Sequence, residues 1–264
     1  MIPYFLKVAY VGSNFFGWQI QTSVRSVQKE LWKAILSFND DATMPAGTSR
    51  TDSGVHAKAQ GVLVVLRKEW DSYRLLAAIN AHLPYDIRVI SVQQAPENFF
   101  PRSHAVAKRY IYRINEGPTE DPFLYQRKWH IFGASPLNRI AMKTAASYLI
   151  GTHDFSSFRH HECTAMSTHR TLYRVSLEEE VSALNIVFEG DRFLMHMVRI
   201  IAGTLVEIGK GRYTALDMPT ILAAKDRRKA GITAPPHGLY LEQIWYQKHW
   251  DIGESSPWPE AQSA

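Results

Sequence analysis

Ser49-Arg50-Thr51-Asp52-Ser53-Gly54-Val55-His56-Ala57 places one carboxylate between small polar residues, two positions after an arginine and directly before an apolar run. That run ends Gly61-Val62-Leu63-Val64-Val65-Leu66, and its β-branched content predicts a strand over 55–67. Upstream, Met44-Pro45-Ala46-Gly47-Thr48 reads as loop, because Pro and Gly punctuate and Ser and Thr compete with backbone pairing. Asp52 therefore sits where a loop feeds a strand, a place where a rigid element can present a reactive group. Arg50 is close enough in sequence to hold that carboxylate ionised at neutral pH. Alone, an Arg-x-Asp of this kind reads as a turn-capping surface pair. The residues around it decide otherwise.

Working outward, the first half has strands over 4–11, 55–67 and 86–94. Val27, Leu31, Ala34, Ile35 and Phe38 recur at helical spacing behind Ser26, a suitable N-cap. A second helix spans 71–83, with Leu75, Ile79 and Leu83 on one face and Pro84 ending it. The second half opens with a strand over 104–115. A helix follows over 136–150, with Pro at its start and Gly151 past its end. Strands over 172–180 and 183–189 lead to an apolar segment over 193–208, read as a buried helix. Asp217 caps a short helix, and a last strand covers 239–247. This pattern predicts an α+β fold in two similar halves, 1–103 and 104–249, each a mostly antiparallel sheet with helices on one face. Residues 250–264, rich in Pro, Ser and Glu, read as a flexible tail.

The chain has 264 residues, 45% hydrophobic and 21% charged, a globular composition and not a disordered one. Net charge is +5 and the sequence pI about 9.2, which suits a polyanionic partner. With Cys163 alone no internal disulfide can form, and a reducing, cytoplasmic location is expected. The N-terminus lacks a signal-peptide core and no apolar run reaches membrane-spanning length. His153, His160, His161, Cys163 and His169 fall in one stretch, but without C-x-x-C or H-x-x-x-H spacing, so no metal site is expected. Lys210-Gly211-Arg212 lacks the order of a phosphate-binding P-loop.

Arg-Thr-Asp-x-Gly-Val-His-Ala, with Gln60 following, resembles the catalytic motif of the tRNA pseudouridine synthase A (TruA) family. Further matches stand in family order. They are Phe16-Gly17-Trp18-Gln19, Lys108-Arg109-Tyr110-Ile111-Tyr112 and His153-Asp154-Phe155-Ser156-Ser157-Phe158. After them come the helix segment from Phe193 through His196 and Arg199 to Leu205, and His237-Gly238-Leu239-Tyr240-Leu241. The resemblance runs from about residue 4 to about residue 247. Three positions depart from it: Ser49 where the family usually has Gly, Ser53 where it has Ala, and Met195 where Arg is frequent.

The resemblance implies the pseudouridine synthase fold, with the two halves joined around a central active-site cleft. It implies isomerisation of uridine to pseudouridine in the anticodon stem–loop of tRNA, at positions 38, 39 and 40, by a homodimer without a cofactor. A related synthase acting on another RNA, and an RNA-binding protein without catalysis, are the alternative readings. Asp52 becomes the nucleophile, as carboxylates are at anomeric centres. By the resemblance Arg199 is the partner of that carboxylate; its helix is otherwise apolar, and a charge there should be paired. Arg50 is a second candidate for Asp52 or for the target phosphate. Tyr110 and Tyr112 share a strand face; the motif selects Tyr110 to stack on uracil and accept the C5 proton. Leu239 forms an apolar wall, and Arg109, Phe16 and Trp18 complete the substrate-binding set. Basic groups around Arg102, Lys108, Arg109, Arg127 and Lys128, around Arg159, Arg170 and Arg174, and over 225–229 are expected to contact phosphate.

Overall fold

The computed structural model describes residues 1–133, 136–180 and 183–258. The chain forms two compact units, Met1–Lys108 with Leu241–Ala264, and Arg109–Tyr240. This division differs from the expected halves 1–103 and 104–249. It falls inside two strands, and the last strand returns most of its length to the first unit.

In the first unit β1 (Ile2–Tyr10) is followed by α1 (Val27–Leu36), β2 (Ala46–Gly47), β3 (His56–Leu66), α2 (Ser72–His82) and β4 (Ile87–Gln94). β1 is central, antiparallel to both neighbours, with Leu6 opposite Val62 of β3 and Val92 of β4. Its Tyr4, Leu6, Val8 and Tyr10 are buried on one face, and Pro3 and Phe5 are buried on the other, Phe5 against Phe99 and Tyr246, so the start of β1 is covered on both sides. α1 buries Val27, Leu31, Ala34 and Ile35, and α2 buries Leu75 and Ile79. Each buried Val, Leu or Ile among them contributes about 1.5–3 kcal/mol on leaving water. Asn80 ties α2 to β4, donating to Val89 O at 2.8 Å and accepting from its N–H at 2.9 Å.

The second unit uses β5 (Ala105–Glu116), which leaves the first unit at Lys108. Then come β6 (Trp129–Ile131), α3 (Arg139–Ser147), β7 (Gly151–Asp154), β8 (His169–Glu180), β9 (Ala183–Gly190), α4 (Met197–Gly209) and α5 (Asp217–Ala224). The closing strand β10 (Leu239–Tyr246) starts here and continues in the first unit. Strand order is β5-β9-β8-β7, with β6 parallel to β5, and β4-β1-β3-β10 in the first unit. The architecture is α+β, the pseudouridine synthase fold class. No helix among the described residues is long and apolar enough to cross a membrane.

Several local expectations need correction. Ser26 stands at the N-cap of α1, but its side chain makes no capping bond. Asp71 lies outside α2 and caps it, accepting from Arg74 N–H at 3.0 Å. Asn138, not Pro136, opens α3 by accepting from Ala141 N–H at 3.0 Å. α4 begins at Met197 instead of 193, because His196 takes a left-handed conformation with φ 61°. Asp217 is the first residue of α5 and braces the preceding turn, accepting from Thr214 N–H at 2.7 Å. Residues 250–258 are no loose tail. Ile252 is buried, Ser255 bridges Tyr246, and Gln93 donates to Asp251 O at 2.8 Å. Residues 259–264 lie outside the described residues.

Candidate active site

Asp52 is half-buried on the loop between β2 and β3, and the backbone around it is bonded residue by residue. Thr48 N–H donates to Gly61 O at 2.9 Å, and its hydroxyl lies 2.5 Å from the buried Tyr246 hydroxyl. Gln60, fully buried in β3, donates to Ser49 O at 2.6 Å and accepts from Ser49 N–H at 3.1 Å. The Thr51 hydroxyl shares a 2.8 Å bond with Tyr10, and Thr51 O accepts from Trp18 N–H at 3.1 Å. Beyond the carboxylate, Val55 N–H closes a turn onto Asp52 O at 3.2 Å.

The Phe-Gly-Trp-Gln segment is the other jaw of this clamp. Gly54 N–H and the Ser53 hydroxyl both donate to Phe15 O, at 3.1 and 3.3 Å. Gly12 N–H donates to Nδ1 of the buried His56 at 3.0 Å, which makes Nδ1 the acceptor of that imidazole. A Cβ at Gly17 would stand 2.6 Å from Thr51 O, and φ there is +84°. Glycine is required on both counts. Trp18 is buried, its ring against Gly47 and 6.3 Å from that of Tyr10, so it shapes the loop from within. Phe16 is 56% exposed and presents an open ring. Ser53, one of the departures from the family pattern, thus gains a bond, while the Ser49 hydroxyl is buried without a partner.

Arg50 does not hold Asp52. It is exposed, and among the described residues no ion pair joins the two. Closeness in sequence does not bring two side chains together on irregular backbone.

In the second unit Tyr110 is 7% exposed on β5, with the Phe193 ring edge-on at 5.0 Å. Tyr112 is fully buried, and its hydroxyl donates to Pro235 O at 2.7 Å. Burial pushes its phenol well above the usual range, against the nearby Arg199 charge. Arg199 is half-buried on α4, its Nε donating to Ala234 O at 2.8 Å while Ala234 N–H donates to Arg199 O at 3.1 Å. Leu239 is buried at the start of β10. The adjacent Gly238 passes so close to the Tyr112 ring that a Cβ would stand 2.8 Å from it. Burial, then the Arg199 charge, holds the His237 imidazole below its ordinary value, against the pull of Glu120.

Several basic residues expected at phosphate have acid partners. Arg109 Nε donates to the buried Glu189 at 2.7 Å, and Arg174 approaches the same carboxylate at 3.9 Å. Lys225 pairs with Asp154 at 3.2 Å and Arg228 with Asp226 at 2.8 Å. Glu189 had no signal in the sequence, since only strand pairing turns it inward. Of the histidine stretch, His160 and His161 join Glu162 in placing one ligand atom each within 4.8 Å. His160 Nδ1 already accepts from Glu162 N–H at 3.3 Å. The Met195 position is 40% exposed and adds no charge.

In the first unit Asp52 is half-buried on a locked loop; in the second, Tyr110 stands on a strand and Arg199 on a helix. The tRNA pseudouridine synthase family matches this chain over residues 7–101 and 145–247, which defines the class, an isomerase acting on tRNA. Curated relatives extend the likeness over nearly the whole length. A tRNA pseudouridine synthase A from Thermoanaerobacter sp. (strain X514) is 43% identical over 241 residues, 91% of this chain and 98% of the relative. Those from Bartonella quintana (strain Toulouse), 39% over 244 residues with the same coverage, and Myxococcus xanthus, 37% over 243 residues, 92% and 91%, agree. The chain belongs to the tRNA pseudouridine synthase A (TruA) family.

Proposed function

We propose that this tRNA pseudouridine synthase modifies uridines 38, 39 and 40 of the anticodon stem–loop, in the cytoplasm and as a homodimer. The reaction breaks the N1–C1′ bond and joins C1′ to C5. The C5 proton leaves, N1 gains one, and no electron or group is exchanged with a co-reactant. Asp52 supplies the carboxylate for this step. Tyr110 stacks on the uracil and takes the C5 proton, Arg199 supplies positive charge, and Leu239 is an apolar wall. Phe16 and Arg109 meet the surrounding nucleotides, and the uridine leaves its stack to be reached.

The observation that carries this reading is the Asp52 loop. Its backbone is held on both sides by buried side chains and by Gly17, while Asp52 itself is only half-buried. Loops fixed to that degree position reacting groups. The support for the anticodon stem–loop is family membership. Mapping pseudouridine in tRNA from cells with and without the protein tests it. Loss confined to positions 38–40 is expected, and loss at other positions, or in another RNA, would overturn the assignment. Light scattering on the purified protein tests the dimer: a mass of one chain would refute it.

A further inference from the structure

Arg227 lies in the basic group expected to meet phosphate, yet its guanidinium is turned inward. One terminal nitrogen donates to Gly231 O at 2.9 Å and Ala230 O at 3.4 Å, and the other to the Thr233 hydroxyl at 2.9 Å. Among the described residues no carboxylate pairs with it, and burial lowers its basicity. A half-buried charge without an acid partner is costly, so its bonds to this one segment call for an explanation.

The segment is a strap over α4. Gly231 N–H donates to the Thr204 hydroxyl at 2.9 Å, and a Cβ on Gly203 would stand 2.0 Å from Ile232 O, so strap and helix touch backbone to backbone. The strap then reaches Ala234, which exchanges two bonds with Arg199, and Pro235, which accepts from Tyr112. Ala234 O is thus what fixes the Arg199 Nε, and the carbonyl's place depends on the turn that Arg227 ties together.

We propose that Arg227 is a positioning residue that sets the orientation of Arg199 through the 230–235 strap. The proposal rests on the reading of Arg199 given above. A lysine could not serve, since a single ammonium lacks the fork that spans three acceptors.

The test compares Arg227→Ala, Arg227→Lys and Thr233→Val in the full chain. It measures single-turnover pseudouridine formation at saturating tRNA, tRNA affinity, and hydrogen exchange at the Ala234 amide. Arg227→Ala and Arg227→Lys should each lose about tenfold or more in rate while affinity stays within about twofold. Both should lose protection at Ala234. Thr233→Val should shift the same way by a few-fold. In an Arg199→Lys background, Arg227→Ala should cost no further rate, because the group it positions is already altered. A folded Arg227→Ala protein with wild-type rate would overturn the proposal, as would an undiminished loss in the Arg199→Lys background. If Arg227→Ala does not fold, an unchanged rate in Thr233→Val overturns it. A wild-type rate in Arg199→Lys alone would instead remove the role of Arg199, a failure that the Arg227 variants do not produce.

Discussion

Asp52 and Arg199 are held in opposite ways. Asp52 sits on irregular backbone, and its loop is fixed by polar side chains from neighbouring strands: Gln60 to Ser49, Tyr10 to Thr51, and Tyr246 to Thr48. Arg199 stands on a helix whose other residues are almost all buried, and it is fixed by a strap carbonyl. A loop has no internal ladder to satisfy its amides, so the protein supplies partners one by one, and each is a point of failure. A helix brings its own ladder, so its backbone there needs apolar packing and no partners supplied one by one. The carboxylate site should therefore break through loss of single hydrogen bonds, and the arginine site through loss of backbone fit.

The largest effect is expected at Asp52 itself. Asp52→Asn keeps shape and loses charge, so pseudouridine formation should fall below detection while thermal stability and tRNA affinity stay near wild type. Turnover near wild type would end the assignment. Next comes the clamp. Gln60→Leu leaves Ser49 N–H and C=O buried without partners, at a cost of about 1–3 kcal/mol per group. A drop in denaturation midpoint together with a rate loss of about tenfold or more at saturating tRNA is expected. A stable Gln60→Leu protein at full rate would show that the loop does not need its clamp.

Smaller again is the contrast between the two tyrosines. Tyr110→Phe keeps the stacking face and loses the hydroxyl, and should lower turnover more than Tyr112→Phe. Tyr112→Phe should instead cost about 1 kcal/mol of stability through the unpaired Pro235 carbonyl. The reverse order in steady-state rates would exchange their roles. At the bottom of the scale, dialysis against EDTA should leave turnover on prefolded tRNA unchanged, because an isomerisation of this kind needs no ion. Loss restored by zinc but not by magnesium would give the His160, His161 and Glu162 group a function.

The strands and helices were legible because period and punctuation suffice for them. β3 follows from its β-branched run, and α2 from Leu75, Ile79 and the proline that ends it. What stayed hidden needed three dimensions. The start of α4 depends on the left-handed turn at His196, which no apolar count reveals. β2 and β6 are too short to show a period and exist through their partners. Closeness in sequence offered Arg50 as a support for Asp52, and no ion pair joins the two among the described residues. The actual supports, Gln60 and Tyr246, lie on strands that pairing brings to the loop. A glutamine inside an apolar strand was the one visible signal. Arg227 read as a surface cation because sequence does not tell which way a side chain turns.

The most direct measurement is release of tritium from tRNA whose uridines are labelled at C5, with purified protein and no added cofactor. Every pseudouridine formed exchanges one C5 hydrogen with water. Release at a fixed ratio to pseudouridine mapped at positions 38–40 is expected, and none with Asp52→Asn. A wild-type protein that binds this tRNA and leaves the label in place would contradict it.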